Sequence, residues 1–178
     1  MDHQGQSSAD LDWREGAIPV SRRFDDPYFS LNGGLDETRH VFLGGNDLPA
    51  RLRPGFHVAE LGFGTGLNLL ALAQVATVPI RFTSFEAYPM SLDELARAHA
   101  AFPELADLAA QLRAGWPARR FTVGQVSAEV IEADARTALT DALARPEAYV
   151  EMRDTARRIR GAGFIPWVAD GTLGTLGV

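Results

Sequence analysis

One stretch of this chain restricts its fold more than any other. Residues 57–66 read His57-Val58-Ala59-Glu60-Leu61-Gly62-Phe63-Gly64-Thr65-Gly66. A hydrophobic strand ends in an acid and turns through three glycines into an apolar helix. Lacking Cβ atoms, Gly62, Gly64 and Gly66 let the backbone take positive φ and approach a ligand closely. Glu60, at the carboxyl end of a parallel strand, lies where open α/β sheets bind ligands. The spacing is G-x-G-x-G. A dinucleotide fingerprint, G-x-G-x-x-G, needs glycine at position 67, which is Leu67. The pattern favours the nucleoside cofactor S-adenosyl-L-methionine (SAM) over NAD. The competing reading is a glycine turn that holds no ligand.

Two further acids extend the pattern. Glu86 closes Phe82-Thr83-Ser84-Phe85-Glu86, twenty residues after Gly66. A carboxylate there can accept hydrogen bonds from both ribose hydroxyls; otherwise it is an acid at a helix start. Asp134 follows Ile131-Glu132-Ala133. It can accept from an adenine amino group or cap the next helix. Three acids after three successive strands are a more specific signal than any one of them.

Around these motifs strands and helices alternate. Strands are expected over 56–61, 80–86 and 128–132. Helices are expected over 67–75, from a Ser91/Glu94 capping box to near Pro103, over 104–114, after Asp134, and over 147–160. A short apolar run follows at 164–168. This order predicts an α/β, Rossmann-like, mostly parallel sheet covered on both faces. Its C-terminal half is incomplete, with four strands expected. Before it lies an extended N-terminal segment, with Asn32-Gly33 read as a turn between extended pieces, the second holding Val41-Phe42-Leu43. Residues 1–12 are expected to be loose, 13–169 to form the domain and 170–178 to fray.

Composition narrows the function classes. The chain has 178 residues, enough for one domain with a core. It has no cysteine, which excludes disulfides, thiolate zinc sites and cysteine nucleophiles. Its longest apolar run, from Leu67 to Ile80, is too short and too polar to span a bilayer. No basic stretch precedes an apolar core at the N-terminus, so a cytoplasmic protein is expected. Net charge is −6, which argues weakly against a nucleic-acid partner. Arg153, Arg157 and Arg160 share one face of the expected 147–160 helix, read either as solvated surface or as an RNA phosphate contact.

Longer segments carry a family resemblance. These are Pro19-Val20-Ser21-Arg22-Arg23-Phe24-Asp25-Asp26-Pro27-Tyr28-Phe29-Ser30, Asn32-Gly33-Gly34-Leu35-Asp36-Glu37-Thr38-Arg39-His40-Val41-Phe42-Leu43-Gly44-Gly45-Asn46, the glycine loop through Asn68, and Ser84-Phe85-Glu86-Ala87-Tyr88-Pro89. In this order, over about residues 13–136, the chain resembles the methyltransferase domain of the bacterial tRNA wobble-uridine modification family, MnmC/MnmD. The resemblance implies a SAM-dependent N-methyltransferase that converts 5-aminomethyl-2-thiouridine in tRNA to 5-methylaminomethyl-2-thiouridine. It implies that Glu60, Gly62, Phe63, Gly64, Thr65 and Gly66 hold SAM, Glu86 its ribose and Asp134 its adenine. The Phe24-to-Ser30 segment would line the cofactor pocket or its approach, or else pack as an N-terminal lid, with Tyr28 and Arg39 as candidate site residues. The FAD-dependent oxidase domain of bifunctional members is not expected here. Such an oxidase, or another chain, is a candidate partner on the same tRNA position.

After residue 136 the chain departs from that family, whose members carry Trp-Phe-Leu-Asp-Gly-Phe-Ala/Ser-Pro at the active site. Trp167-Val168-Ala169-Asp170-Gly171 reproduces part of the spacing and would make Asp170 catalytic. The incompatible alternative aligns Arg157-Arg158 to Ala162-Gly163-Phe164 with a later family segment, which leaves the catalytic strand out. A non-catalytic or partner-dependent SAM-binding relative is therefore the alternative function.

Overall fold

The computed structural model describes residues 8–30 and 33–138. The expectations at Asp170, at residues 147–168 and in the tail lie outside the described residues. So does Asn32.

The N-terminal segment forms a small antiparallel sheet, β1 (Leu11–Arg14), β2 (Ile18–Ser21) and β3 (Asp26–Pro27), in the order β1-β2-β3. Order begins earlier than expected for a loose 1–12 stretch. The Ala9 N–H donates to the Pro89 carbonyl, and Leu11 already pairs with Ser21. The next segment is helical, where extended chain was expected. Gly33, in the left-handed region at φ 86°, starts α1 (Gly34–Thr38), and a π-helix over Arg39–Gly44 holds Val41-Phe42-Leu43. A short α2 follows (Leu48–Arg51).

The main sheet contains β4 (His57–Leu61), β5 (Ile80–Glu86), β6 (Arg120–Val123) and β7 (Val126–Glu132) in the order β4-β5-β7-β6. β4, β5 and β7 run parallel, while β6 is an antiparallel edge on β7. β6 was not expected from the sequence. Its four residues begin within the Arg119-Arg120 pair, which reads as surface, and Gly124, at φ 55°, closes the tight turn into β7. The architecture is mixed α/β with a mostly parallel four-stranded sheet, which is Rossmann-like.

Helices α3 (Leu67–Val75), α4 (Leu92–His99) and α5 (Ala106–Gly115) connect these strands. α4 starts at the expected capping box, with Ser91 and Glu94 each accepting from the other's backbone N–H. α3 is apolar apart from Asn68 and Gln74, which is the pattern of a core helix. Leu69, Leu70 and Leu72 are fully buried. Each contributes about 1.5–3 kcal/mol by leaving water.

Expected two-sided cover is not found among the described residues. The paired rows Val58-Phe82-Ala128 and Glu60-Ser84-Val130 lie on the buried face. The rows His57-Arg81-Ser127 and Ala59-Thr83-Glu129 lie on the opposite, partly exposed face. The reason is topological. Both crossovers, β4 to β5 and β5 to β7, step the same way across the sheet. Right-handed connections then place their helices on one face. On the other face, a cleft of about 420 Å³ lies among His57, Arg81, Thr83, Arg120, Ser127 and Glu129. No helix among the described residues is long and apolar enough to cross a membrane.

Candidate functional site

Strand register brings the acids to one edge. β4, β5 and β7 are neighbours and parallel, so Glu60, Glu86 and Asp134 all lie toward the carboxyl end of the sheet. The glycine loop leaves β4 at the same end. The Gly62 N–H donates to the Phe85 carbonyl at 2.8 Å, and Gly66, at φ 75°, starts α3.

Glu86 ties β5 to this loop. One carboxylate oxygen accepts from the Gly64 N–H at 2.8 Å, and the other from the Tyr88 N–H at 2.9 Å. A carboxylate oxygen has two lone-pair sites, so each retains capacity for a ligand hydroxyl. The Tyr28 ring lies against Gly64, where an added Cβ would sit 3.0 Å from its Cδ1. Burial, then the neighbouring Glu86 and Glu94 charges, push the Tyr28 hydroxyl up to about 12. Tyr28 therefore stays protonated near neutral pH and is a wall of the site, not a base.

Glu60 is buried. It accepts from Asn68 Nδ2 at 2.8 Å and from the Ser84 hydroxyl at 2.7 Å. Desolvation dominates, and the Glu86 charge adds to it against these two donors. Together they raise the Glu60 carboxyl to about 7. In the unfolded chain this group ionises near 4.5. Its folded affinity for a proton is higher, so its contribution to stability is complete below pH 4.5 and is lost as pH rises through 7. That loss is about 3 kcal/mol. Urea unfolding of Glu60→Gln between pH 5 and 8 should show a flatter profile and a gain over wild type at pH 8. Parallel profiles would contradict this.

Underneath, the loop is held by side chains that do not face a ligand. Phe63 is buried and stacks on Trp116 with centroids 4.9 Å apart. The Trp116 Nε1–H donates to the Met90 carbonyl. The Phe63 ring thus packs beneath the loop, which leaves its backbone for the expected cofactor contact. A ring at this loop position gains more by filling the space under Gly66 than by facing the opening. Thr65 is also buried, and its carbonyl meets His99 Nε2 at 2.8 Å. Arg113 Nη1 lies 3.1 Å from His99 Nδ1. Since an arginine only donates, Nδ1 accepts and Nε2 carries the proton given to Thr65. Burial, aided by the Arg113 charge, lowers the affinity of His99 for a second proton. His99→Ala leaves the Thr65 carbonyl and Arg113 without this partner. It should cost about 2–4 kcal/mol in denaturant unfolding, and an unchanged midpoint would refute the clamp.

Asp134 sits at the end of β7 but is exposed. Its Oδ1 accepts from the backbone N–H groups of Arg136 and Thr137 at 2.9 and 3.3 Å. This is the capping alternative, and Arg136 also pairs with its carboxylate. Arg39 lies apart from the loop, on Asp36 and on Gln74 of α3. Sequence reasoning missed Asn68, Ser84, His99 and Arg113 as supports. Only Asn68 left a signal, as the one amide in the first turn of a mostly apolar helix.

A mostly parallel α/β sheet with a glycine loop and acids at its carboxyl edge defines the Rossmann-like class. No protein-family model matches the chain. Among solved structures, the chain is similar to the crystal structure of MNMC2 from Aquifex aeolicus, with 17% identity and a TM-score of 0.48. The match covers 77% of this chain and 46% of that one, so the chain spans less than half the length of that structure.

Proposed function

We propose that this chain is a SAM-dependent N-methyltransferase of tRNA, acting in the cytoplasm on the 5-aminomethyl-2-thiouridine of the wobble position. The observation that carries the cofactor part is the Glu86 carboxylate, bound to the Gly64 N–H of a G-x-G-x-G loop. The tRNA part is supported by the motif resemblance over residues 13–136.

The residues present suit such a cofactor. A Cβ added at Gly62 would meet nothing within 4 Å, so there is open space beside the loop. Glu86 would hold the ribose hydroxyls. Glu60 would face the cationic amino-acid part, and a positive group there would favour its ionised form. When bound, SAM supplies a methyl group activated by a sulfonium. The chain's part is positioning. Tyr28 shields the loop from water, while the His99–Thr65 bond and the Phe63–Trp116 stack keep the loop in one conformation. Fixing the amine and methyl in line is worth about 7–11 kcal/mol of the barrier. The amine must be neutral to attack, which desolvation favours.

The test is transfer of labelled methyl from SAM to tRNA that carries the aminomethyl precursor. Incorporation that is lost in Glu86→Ala supports the proposal. SAM binding without incorporation would instead support the non-catalytic or partner-dependent reading, with an FAD-dependent oxidase or another chain as the partner.

A further inference from the structure

The turn between β2 and β3 reaches the same edge of the sheet. Its Phe24 N–H donates to the Ser21 hydroxyl at 3.3 Å. The Phe24 ring is 49% exposed. Its centroid lies 6.5 Å from that of Tyr88 at 57°, so the two rings do not cover each other's faces. The Arg23 guanidinium sits 4.5 Å from the Tyr88 centroid and 6.0 Å from that of Phe24. Tyr88 is in turn anchored through its N–H to Glu86.

The two arginines of this turn differ. Arg22 pairs with Asp10 and Asp12. Among the described residues no carboxylate pairs with Arg23, which leaves its charge for an anion. An exposed aromatic face, a second ring and a stacked guanidinium are the parts with which proteins hold unpaired bases. Overall charge limits how such a partner can be held. A chain of net charge −6 has little to offer a long duplex backbone, and a few stacking contacts suit an unpaired segment better.

We propose that Arg23, Phe24 and Tyr88 form a stacking platform for an unpaired nucleobase of an RNA substrate, beside the glycine loop. It rests on the tRNA reading above. Arg23 meets the flanking phosphate, and Phe24 offers its open face to the base. A base on this platform would lie next to the acid that binds the cofactor.

The test titrates the full chain into a fluorescently labelled eight-nucleotide oligouridine by anisotropy, with a parallel calorimetric titration of SAM. Phe24→Ala should weaken RNA binding roughly 5- to 150-fold, Phe24→Trp should restore it, and SAM affinity should be unchanged in both. Arg23→Gln should weaken RNA binding and reduce its salt dependence. RNA affinity unaffected by Phe24→Ala would overturn the platform. So would an equal loss of SAM affinity, which would assign the rings to the cofactor's adenine. If wild type binds SAM but no RNA, the platform fails and the cofactor reading stands. If RNA binds through Phe24 without any SAM binding, the platform stands and the cofactor reading fails.

Discussion

Glu86→Ala should lower the affinity for SAM about 100-fold or more. Hydrogen bonds to a charged group contribute about 1.5–3 kcal/mol each, and in the proposed complex the ribose would make two with this carboxylate. The substitution also frees the Gly64 and Tyr88 N–H groups that Glu86 now accepts. Glu86→Gln keeps the side-chain volume and one acceptor oxygen, so it retains one of the two loop bonds while its NH2 faces the other backbone donor; urea unfolding measured beside binding reads that part of the loss. Binding of SAM by Glu86→Gln at wild-type affinity, measured by calorimetry, would reduce Glu86 to a loop anchor.

Gly66→Ala should be the most destabilising single-methyl change in the loop. The residue sits at φ 75°, and a Cβ would lie 2.7 Å from Phe63 Cζ and 2.9 Å from Leu112 Cδ1. Phe63 has no easy retreat, because it stacks on Trp116, which is bonded to Met90. Left-handed strain of about 1–2 kcal/mol adds to overpacking of about 1–3 kcal/mol. Gly62→Ala is the control. Its φ is 88° but the space is open, so only the strain should appear. Urea unfolding compares them, and equal losses would contradict the packing under Gly66.

The parts of this fold that repeat a local pattern were legible in the sequence. α3 spans residues 67–75 as its apolar run indicates, β5 ends at Glu86, and the Ser91/Glu94 box starts α4. Parts decided by distant partners were not legible. β6 exists because β7 offers it an edge, and its four residues carry little signal alone. Residues 39–44 form a π-helix although Val41 and Phe42 favour strands. Two-sided cover was inferred from alternation alone, whereas strand order decides the face on which each helix lands. At the site, Glu60 and Glu86 were visible because acids after strands have a fixed spacing. The direction of the Phe63 ring was not, since it depends on Trp116, more than fifty residues away. The His99–Thr65 bond likewise joins residues 34 apart, and no local pattern encodes it.

The central claim is that the glycine loop and its acids hold SAM. Calorimetric titration of the folded chain with SAM tests it most directly. Saturable one-to-one binding, weakened about 100-fold or more in Glu86→Ala, is the predicted result. Absence of SAM binding by a chain that unfolds cooperatively, or saturable binding of NAD in its place, would contradict it.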